Sequence, residues 1–107
     1  MDELMRIMEE TALPFAYDHF AEGESPSPPF LCFLCPGSNN FGADGGVYFK
    51  ADEVNIELYT DKKDPEVEQQ IETVLDEHGV FYDKTEIWIE SEKLYEVLYS
   101  FELEVSL

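Results

Sequence analysis

Apolar side chains recur at helical spacing in two segments of the chain. Leu4, Ile7 and Met8 share one face near the start, which predicts a short amphipathic helix over residues 2–11. A second helix is predicted over residues 65–78, where Asp64 suits the N-cap and Pro65 the first helical position. The apolar stripe of this second helix consists of Val67, Ile71, Val74, Leu75 and His78, and Gly79 should end it.

The remaining segments show strand patterns, mostly as alternation of apolar and polar side chains. The strands predicted in this way are residues 15–20, 30–35, 47–50, 54–60, 85–90 and 95–105. The run from Phe30 to Cys35 is continuously apolar and stands between prolines, which is typical of a buried strand. The even-numbered side of the last strand carries three glutamates, so it should face water or a partner.

The order of these elements is helix, strands, helix and strand pair, without a parallel βαβ repeat. This order predicts an α+β fold in which an antiparallel sheet of about five strands has two helices packed on one face. The length of 107 residues predicts that residues 1–107 form a single domain with one hydrophobic core.

The charge balance narrows the classes of partner. The chain has 25 acidic and 6 basic residues, a formal net charge of −19, and its basic residues are scattered. Binding to a phosphate backbone needs clustered lysine and arginine, so nucleic acid and anionic membranes are poor partners. Basic proteins, divalent cations or a role that requires repelling DNA stay open. No apolar stretch is long enough to span a membrane and no signal peptide is apparent, so we expect a cytoplasmic, reducing environment.

Cys32 and Cys35 form a CxxC motif, the most conspicuous chemical pattern in the sequence. A redox CxxC places its first thiol at a helix N-terminus, whereas this motif lies in a predicted strand. Residues three apart on a strand point to opposite faces, so the thiols should diverge. We therefore interpret both cysteines as small apolar side chains of the fold.

The other candidate groups give no catalytic pattern. His19 and His78 share no motif with a nucleophile, and His78 suits a capping or packing role at a helix end. Asp61 and Asp64 do not follow a calcium-loop spacing, and nothing among the many acids selects a glycosidase-like pair. The sequence thus predicts no enzyme activity, no metal site and no cofactor. A hydrolase with paired carboxylates stays as a third hypothesis without positive support.

Residues 36–46 predict a long loop, rich in glycine, between two strands. Its spacing does not match a phosphate-binding loop. Long ordered loops in compact domains are often functional, so Asn39, Asn40, Phe41 and Asp44 are candidates for a contact with a neighbouring subunit. The alternative interpretation is an ordinary surface loop.

The chain also resembles a small family of uncharacterised proteins from phages and prophages of Gram-positive bacteria. The resemblance is carried by Asn39-Asn40-Phe41 with Ala43-Asp44-Gly45, by residues 54–64 and by residues 90–97. The order of elements is in turn similar to that of tail-terminator and tail-completion proteins of long-tailed phages. This resemblance implies a structural protein without catalytic residues, found in the bacterial host cytoplasm during assembly and then in the virion.

The partners that the resemblance implies are copies of the same chain, in a ring expected to be a hexamer, and other phage tail or head–tail proteins. An acidic lining would then repel DNA passing through the ring. The alternative hypothesis is an acidic DNA mimic that inhibits a basic host protein, for which the net charge of −19 is the motivation.

Overall fold

The computed structural model describes residues 2–38 and 50–105 of the chain. The elements are two helices and five strands: α1 (Asp2–Glu10), β1 (Phe15–Tyr17), β2 (Phe30–Ser38), β3 (Lys50–Thr60), α2 (Pro65–Glu77), β4 (Tyr82–Ile89) and β5 (Leu94–Val105). The predicted α+β class is therefore confirmed. The predicted strand at residues 47–50 is represented by Lys50, the first residue of β3, and its other positions lie outside the described residues.

The five strands form one sheet in the order β1-β2-β3-β5-β4. Three of the four strand pairs are antiparallel, as expected, but β1 runs parallel to β2, with Phe15 beside Leu31 and Tyr17 beside Phe33. The sheet is thus mixed and mostly antiparallel, and the predicted antiparallel pairing does not extend to this edge strand. β1 is only three residues long, so its pairing partner is set by packing rather than by its own pattern.

The inner face of the sheet carries the hydrophobic core, and both helices pack on it. Leu4, Ile7 and Met8 of α1 and Ile71 and Leu75 of α2 belong to one buried cluster with the inner residues of β2, β3 and β5. The strand residues of this cluster are Leu31, Phe33, Val54, Ile56, Leu58, Val97, Tyr99 and Phe101. Their registers place them on the same face, because directly opposed residues of paired strands share a side. The predicted placement of two helices on one face is confirmed.

Both ends of α2 follow from its flanking residues. The Asp64 side chain accepts a hydrogen bond from the Val67 amide at 3.3 Å, and Pro65 occupies the first turn. At the other end Gly79 adopts a φ of 68°, a left-handed conformation that glycine reaches without steric penalty. The amides of Gly79 and Val80 then donate to the carbonyls of Asp76 and Leu75, each at 3.0 Å, which is the Schellman arrangement. This turn directs the chain from the helix into β4.

Within residues 2–38 and 50–105, the cover on the outer face of the sheet lies at its β2 side. After β1, Asp18 turns the chain with a φ of 65°, and Phe20 then packs edge-on against Phe30 with ring centroids 5.5 Å apart. Phe30 stacks in turn on Tyr59 of β3. The outer side chains of β3, β5 and β4 have no helix over them among the described residues. No helix in the described part of the chain has the length and apolarity to cross a membrane.

Candidate functional site

The loop residues that the sequence singled out, Asn39, Asn40, Phe41 and Asp44, lie outside the described residues. The proposed subunit contact through this loop therefore stays a prediction.

Cys32 and Cys35 are free thiols on opposite faces of β2. Cys32 opposes Glu57 on the outer face, whereas Cys35 packs against the helix-side core. Burial and the nearby carboxylate of Glu57 raise the pKa of the Cys32 thiol to about 11, and burial likewise raises the pKa of Cys35. A thiol with a raised pKa is a poor nucleophile and metal ligand. The predicted divergence of the two side chains is confirmed.

His78 caps the end of α2 and joins the two helices. Its Nε2 lies 2.8 Å from Glu10 and its Nδ1 lies 3.4 Å from Glu3, both on α1. The hydrogen bond with Glu10 is the main cause that raises the pKa of His78 above its ordinary value of 6.5. His19 is exposed and lies 3.0 Å from its neighbour Asp18. The capping and packing role predicted for His78 is therefore confirmed.

A network of ion pairs that the sequence did not reveal lies between α2 and β4. Glu68 is buried on α2, with its side chain 4% exposed, and its Oε1 atom lies 2.8 Å from the ammonium groups of both Lys63 and Lys84. Lys63 also pairs with Glu86, and Lys84 with Glu72 at 2.7 Å. The Oε2 atom of Glu68 has no hydrogen-bond partner among the described residues. The cluster therefore fixes α2 on the sheet with charges that are largely balanced within it.

Glu72 and Tyr99 extend this network towards the core. The Tyr99 hydroxyl donates to Glu72 at 2.8 Å. Burial alone would raise the pKa of Glu72, but the hydrogen bonds from Lys84 and Tyr99 outweigh burial and lower it. Burial and the Glu72 carboxylate both raise the pKa of Tyr99. Glu72 is thus held as a carboxylate and Tyr99 as a neutral phenol, so the cluster is an arrangement for structure rather than for proton transfer at neutral pH.

A hydrolase would need a buried pair of acids, and the fully buried acid in the described ranges is Glu68 alone. Its charged neighbours are the ammonium groups of Lys63 and Lys84, and neither of them is a second acid. Three or more side chains arranged to hold a metal ion are not found within residues 2–38 and 50–105. The third hypothesis thus gains no positive support from the arrangement of the acids.

The open face of the sheet is strongly acidic. On β5 the even-numbered glutamates all point to this face, as predicted, and Glu102 lies directly opposite Glu53 of β3. Asp83 of β4 opposes Ser100 on the same face. Nearer the covered side, the Tyr59 hydroxyl donates to Glu57 at 3.0 Å, and burial raises the pKa of Glu57. The open face therefore presents carboxylates without basic side chains directly opposed to them on β3 and β5 at the described positions.

The outer edge of β4, which no described strand covers, carries exposed apolar side chains. β4 is the last strand in the sheet order, and the other edge is β1. Ile87 is 60% exposed on the outer face and Trp88 is 43% exposed on the inner face. An edge strand offers unpaired N–H and C=O groups on one side, and exposed aromatic and aliphatic side chains are typical of binding surfaces. Such an edge can pair with another chain.

No family model matches the sequence, and the comparison with curated proteins found no match.

Proposed function

We propose that this protein is a phage structural subunit, a tail terminator or tail-completion protein, that acts by associating with copies of itself and with other tail proteins. The observation that carries the proposal is the exposed edge of β4 with Ile87 and Trp88. The second support is the resemblance of the sequence to phage and prophage proteins. A catalytic role is not part of the proposal, because the buried Glu68 carboxylate is engaged by the two lysines Lys63 and Lys84.

A ring is built from head-to-tail contacts, in which one surface of a subunit meets a different surface of the next subunit. Each subunit must therefore present two different surfaces. The sheet offers two different edges at its opposite ends, β1 and β4. β4 has eight residues, whereas β1 has three, of which the last, Tyr17, is exposed. Successive copies that join the β4 edge of one subunit to the β1 side of the next would form such a ring. We expect six copies.

The negative charge of the open face would suit a ring through which DNA passes. Glu53 and Glu102 lie opposite one another on this face, and Asp83 is exposed near them. A lining of carboxylates repels the phosphate backbone and keeps DNA from adhering. In the proposed ring we place this face towards the channel.

The decisive genetic experiment is deletion of the gene from the phage or prophage that carries it, followed by electron microscopy of the particles. Loss of a terminator should give tails of abnormal length that fail to join heads. Complementation with the wild-type gene should restore joined particles, and complementation with Ile87→Lys should not. Normal tails of normal length after deletion would contradict the proposal.

Thr73→Lys is the matched control for this complementation. Thr73 is exposed on α2 and belongs to no strand of the sheet, and the substitution changes the charge by the same amount as Ile87→Lys. It should restore joined particles.

The alternative function, an acidic DNA mimic, is favoured by the same carboxylate-bearing face. It predicts capture of a nucleic-acid-binding protein from host lysate that duplex DNA releases. An assembly subunit should instead retain its protein partners in the presence of DNA.

A further inference from the structure

The last residues of β5 form a second open edge of the sheet, separate from the edge of β4. β4 begins at Tyr82, which opposes Phe101, whereas β5 continues to Val105 and stays paired with β3 on its other side. Residues 102–105 therefore have no strand on the β4 side among the described residues. In an antiparallel ladder alternate residues direct both N–H and C=O to a given side. About two of these four residues thus present free hydrogen-bonding groups there.

A groove of about 700 Å³ lies along this open edge. One wall is the turn after α2, where Val80 is half-buried and Phe81 is 93% exposed. The other wall is β5 itself, with Leu103 on the inner side and Glu102 and Glu104 on the outer side. The groove continues the line of β4, so an extended chain placed in it would extend the sheet.

The charges that line the groove indicate which kind of segment it can bind. Glu102, Glu104 and Asp83 lie on its outer side, and Glu3 lies at its inner end beside His78. The described basic side chains Lys63 and Lys84 are engaged with Glu68 elsewhere. Side chains alternate along a strand, so an added strand meets Val80 and Leu103 with one set of side chains and the outer carboxylates with the other.

We propose that this groove, the β5 groove, binds an extended basic segment of a different protein by strand addition. The segment has lysine or arginine at every second position and aliphatic side chains between them. A second copy of this chain is disfavoured as the occupant, because the chain has a formal net charge of −19 and the wall of the groove carries carboxylates. Main-chain hydrogen bonds would pair the segment with β5, and the alternating side chains of the segment would make the binding selective.

This inference deepens the proposed function, since it takes the basic segment to belong to another assembly protein. Binding at the β5 groove can nevertheless be measured on the purified chain, whatever its oligomeric state. A chain that forms rings without binding the segment, or binds the segment without forming rings, would separate the two proposals.

The experiment titrates the purified full chain, labelled with nitrogen-15, with a blocked synthetic peptide of alternating arginine and valine. We expect amide shifts and slowed hydrogen exchange at residues 79–81 and 102–105, and an affinity that falls as salt is added. A peptide of the same composition with its arginines and valines in two separate blocks should bind more weakly. So should an alternating peptide with methylated backbone nitrogens, because it cannot donate to the strand.

Paired variants test whether the groove carboxylates hold the peptide. Glu102→Gln with Glu104→Gln should weaken binding about tenfold, the combined effect of two exposed ion pairs. The control is Glu66→Gln with Glu77→Gln, which removes the same charge from exposed positions on α2 and should change the affinity less than twofold. If both double variants lost the same affinity, attraction by the net charge alone would explain the binding. That result would overturn the proposal. Shifts along residues 82–89 in place of 102–105 would also overturn it.

Discussion

Glu53 on β3 lies directly opposite Glu102 on β5, on the sheet face that no described helix covers. Like charges placed opposite one another across paired strands destabilise a sheet. A function that uses negative charge on this face would explain why both positions carry glutamate. This pair therefore links the stability of the fold to the proposed role of the open face.

Replacing one member of this pair should stabilise the protein. Glu102→Gln removes the repulsion and is expected to raise the free energy of unfolding by about 0.5 kcal/mol at low salt. Urea denaturation measures the change, which should shrink as salt screens the charges. The control is Glu24→Gln in the exposed connection before β2, since it removes one charge without a cross-strand partner. A gain no larger than that of Glu24→Gln would show that the opposed position has no special effect.

The link between the helices through His78 should depend on pH. The pKa of His78 is raised in the folded protein, so the stabilisation is fully present below the unfolded value of about 6.5. It is lost as the pH rises through the raised folded pKa. The unfolding free energies of the wild type and His78→Gln should therefore converge as the pH rises above about 6.5 and through the raised folded pKa. A difference that grows with rising pH would contradict this assignment.

The buried carboxylate of Glu68 depends on its two lysines. Lys84→Met should lower the free energy of unfolding by about 1–2 kcal/mol, less than for a fully buried pair because Lys84 is partly exposed and Lys63 remains. Replacing Glu68 by Met as well should recover part of that loss, since the unbalanced charge is then gone.

Lys93→Met provides the control for the Glu68 cluster. Lys93 pairs with Glu90 at the exposed β4–β5 turn, and surface pairs contribute little. We expect a change of less than about 0.5 kcal/mol in chemical denaturation. An equal effect for Lys84→Met and Lys93→Met would mean that the buried cluster is not coupled to stability.

The two thiols should be slow to react and should not join. With the pKa of Cys32 at about 11, only about 0.1% of it is thiolate at pH 8. Air oxidation of the native protein should leave its mass unchanged, and a thiol reagent should react fully only after unfolding. Formation of a Cys32–Cys35 disulfide in the native protein would contradict their placement on opposite faces.

Local patterns predicted the parts of the fold that local forces determine. Asp64, Pro65 and Gly79 mark the ends of α2 because capping depends on nearby backbone groups. The alternation along β5 correctly placed its glutamates on the open face, since side-chain direction has a fixed period of two. The same geometry correctly separated Cys32 from Cys35.

Features that depend on distant contacts were not predicted. The parallel pairing of β1 with β2 follows from how the chain returns after α1, and three residues carry too little pattern to show it. Glu68 was missed although it stands three residues before Ile71 and seven before Leu75, on the buried side of α2. An acid on the buried side of a helix was the available signal that charged partners lie nearby. The partners themselves, Lys63 and Lys84, come from separate segments, so the pattern of the helix does not identify them.

The solution mass of the purified protein tests self-association most directly. Sedimentation equilibrium at increasing concentration should show a ring-sized species, six times the 12.3 kDa chain. Ile87→Lys at the β4 edge should shift it towards the monomer, whereas Thr73→Lys on α2 should not. A wild-type protein that stays monomeric at all concentrations, and also when mixed with tail tubes, would contradict a role in ring assembly.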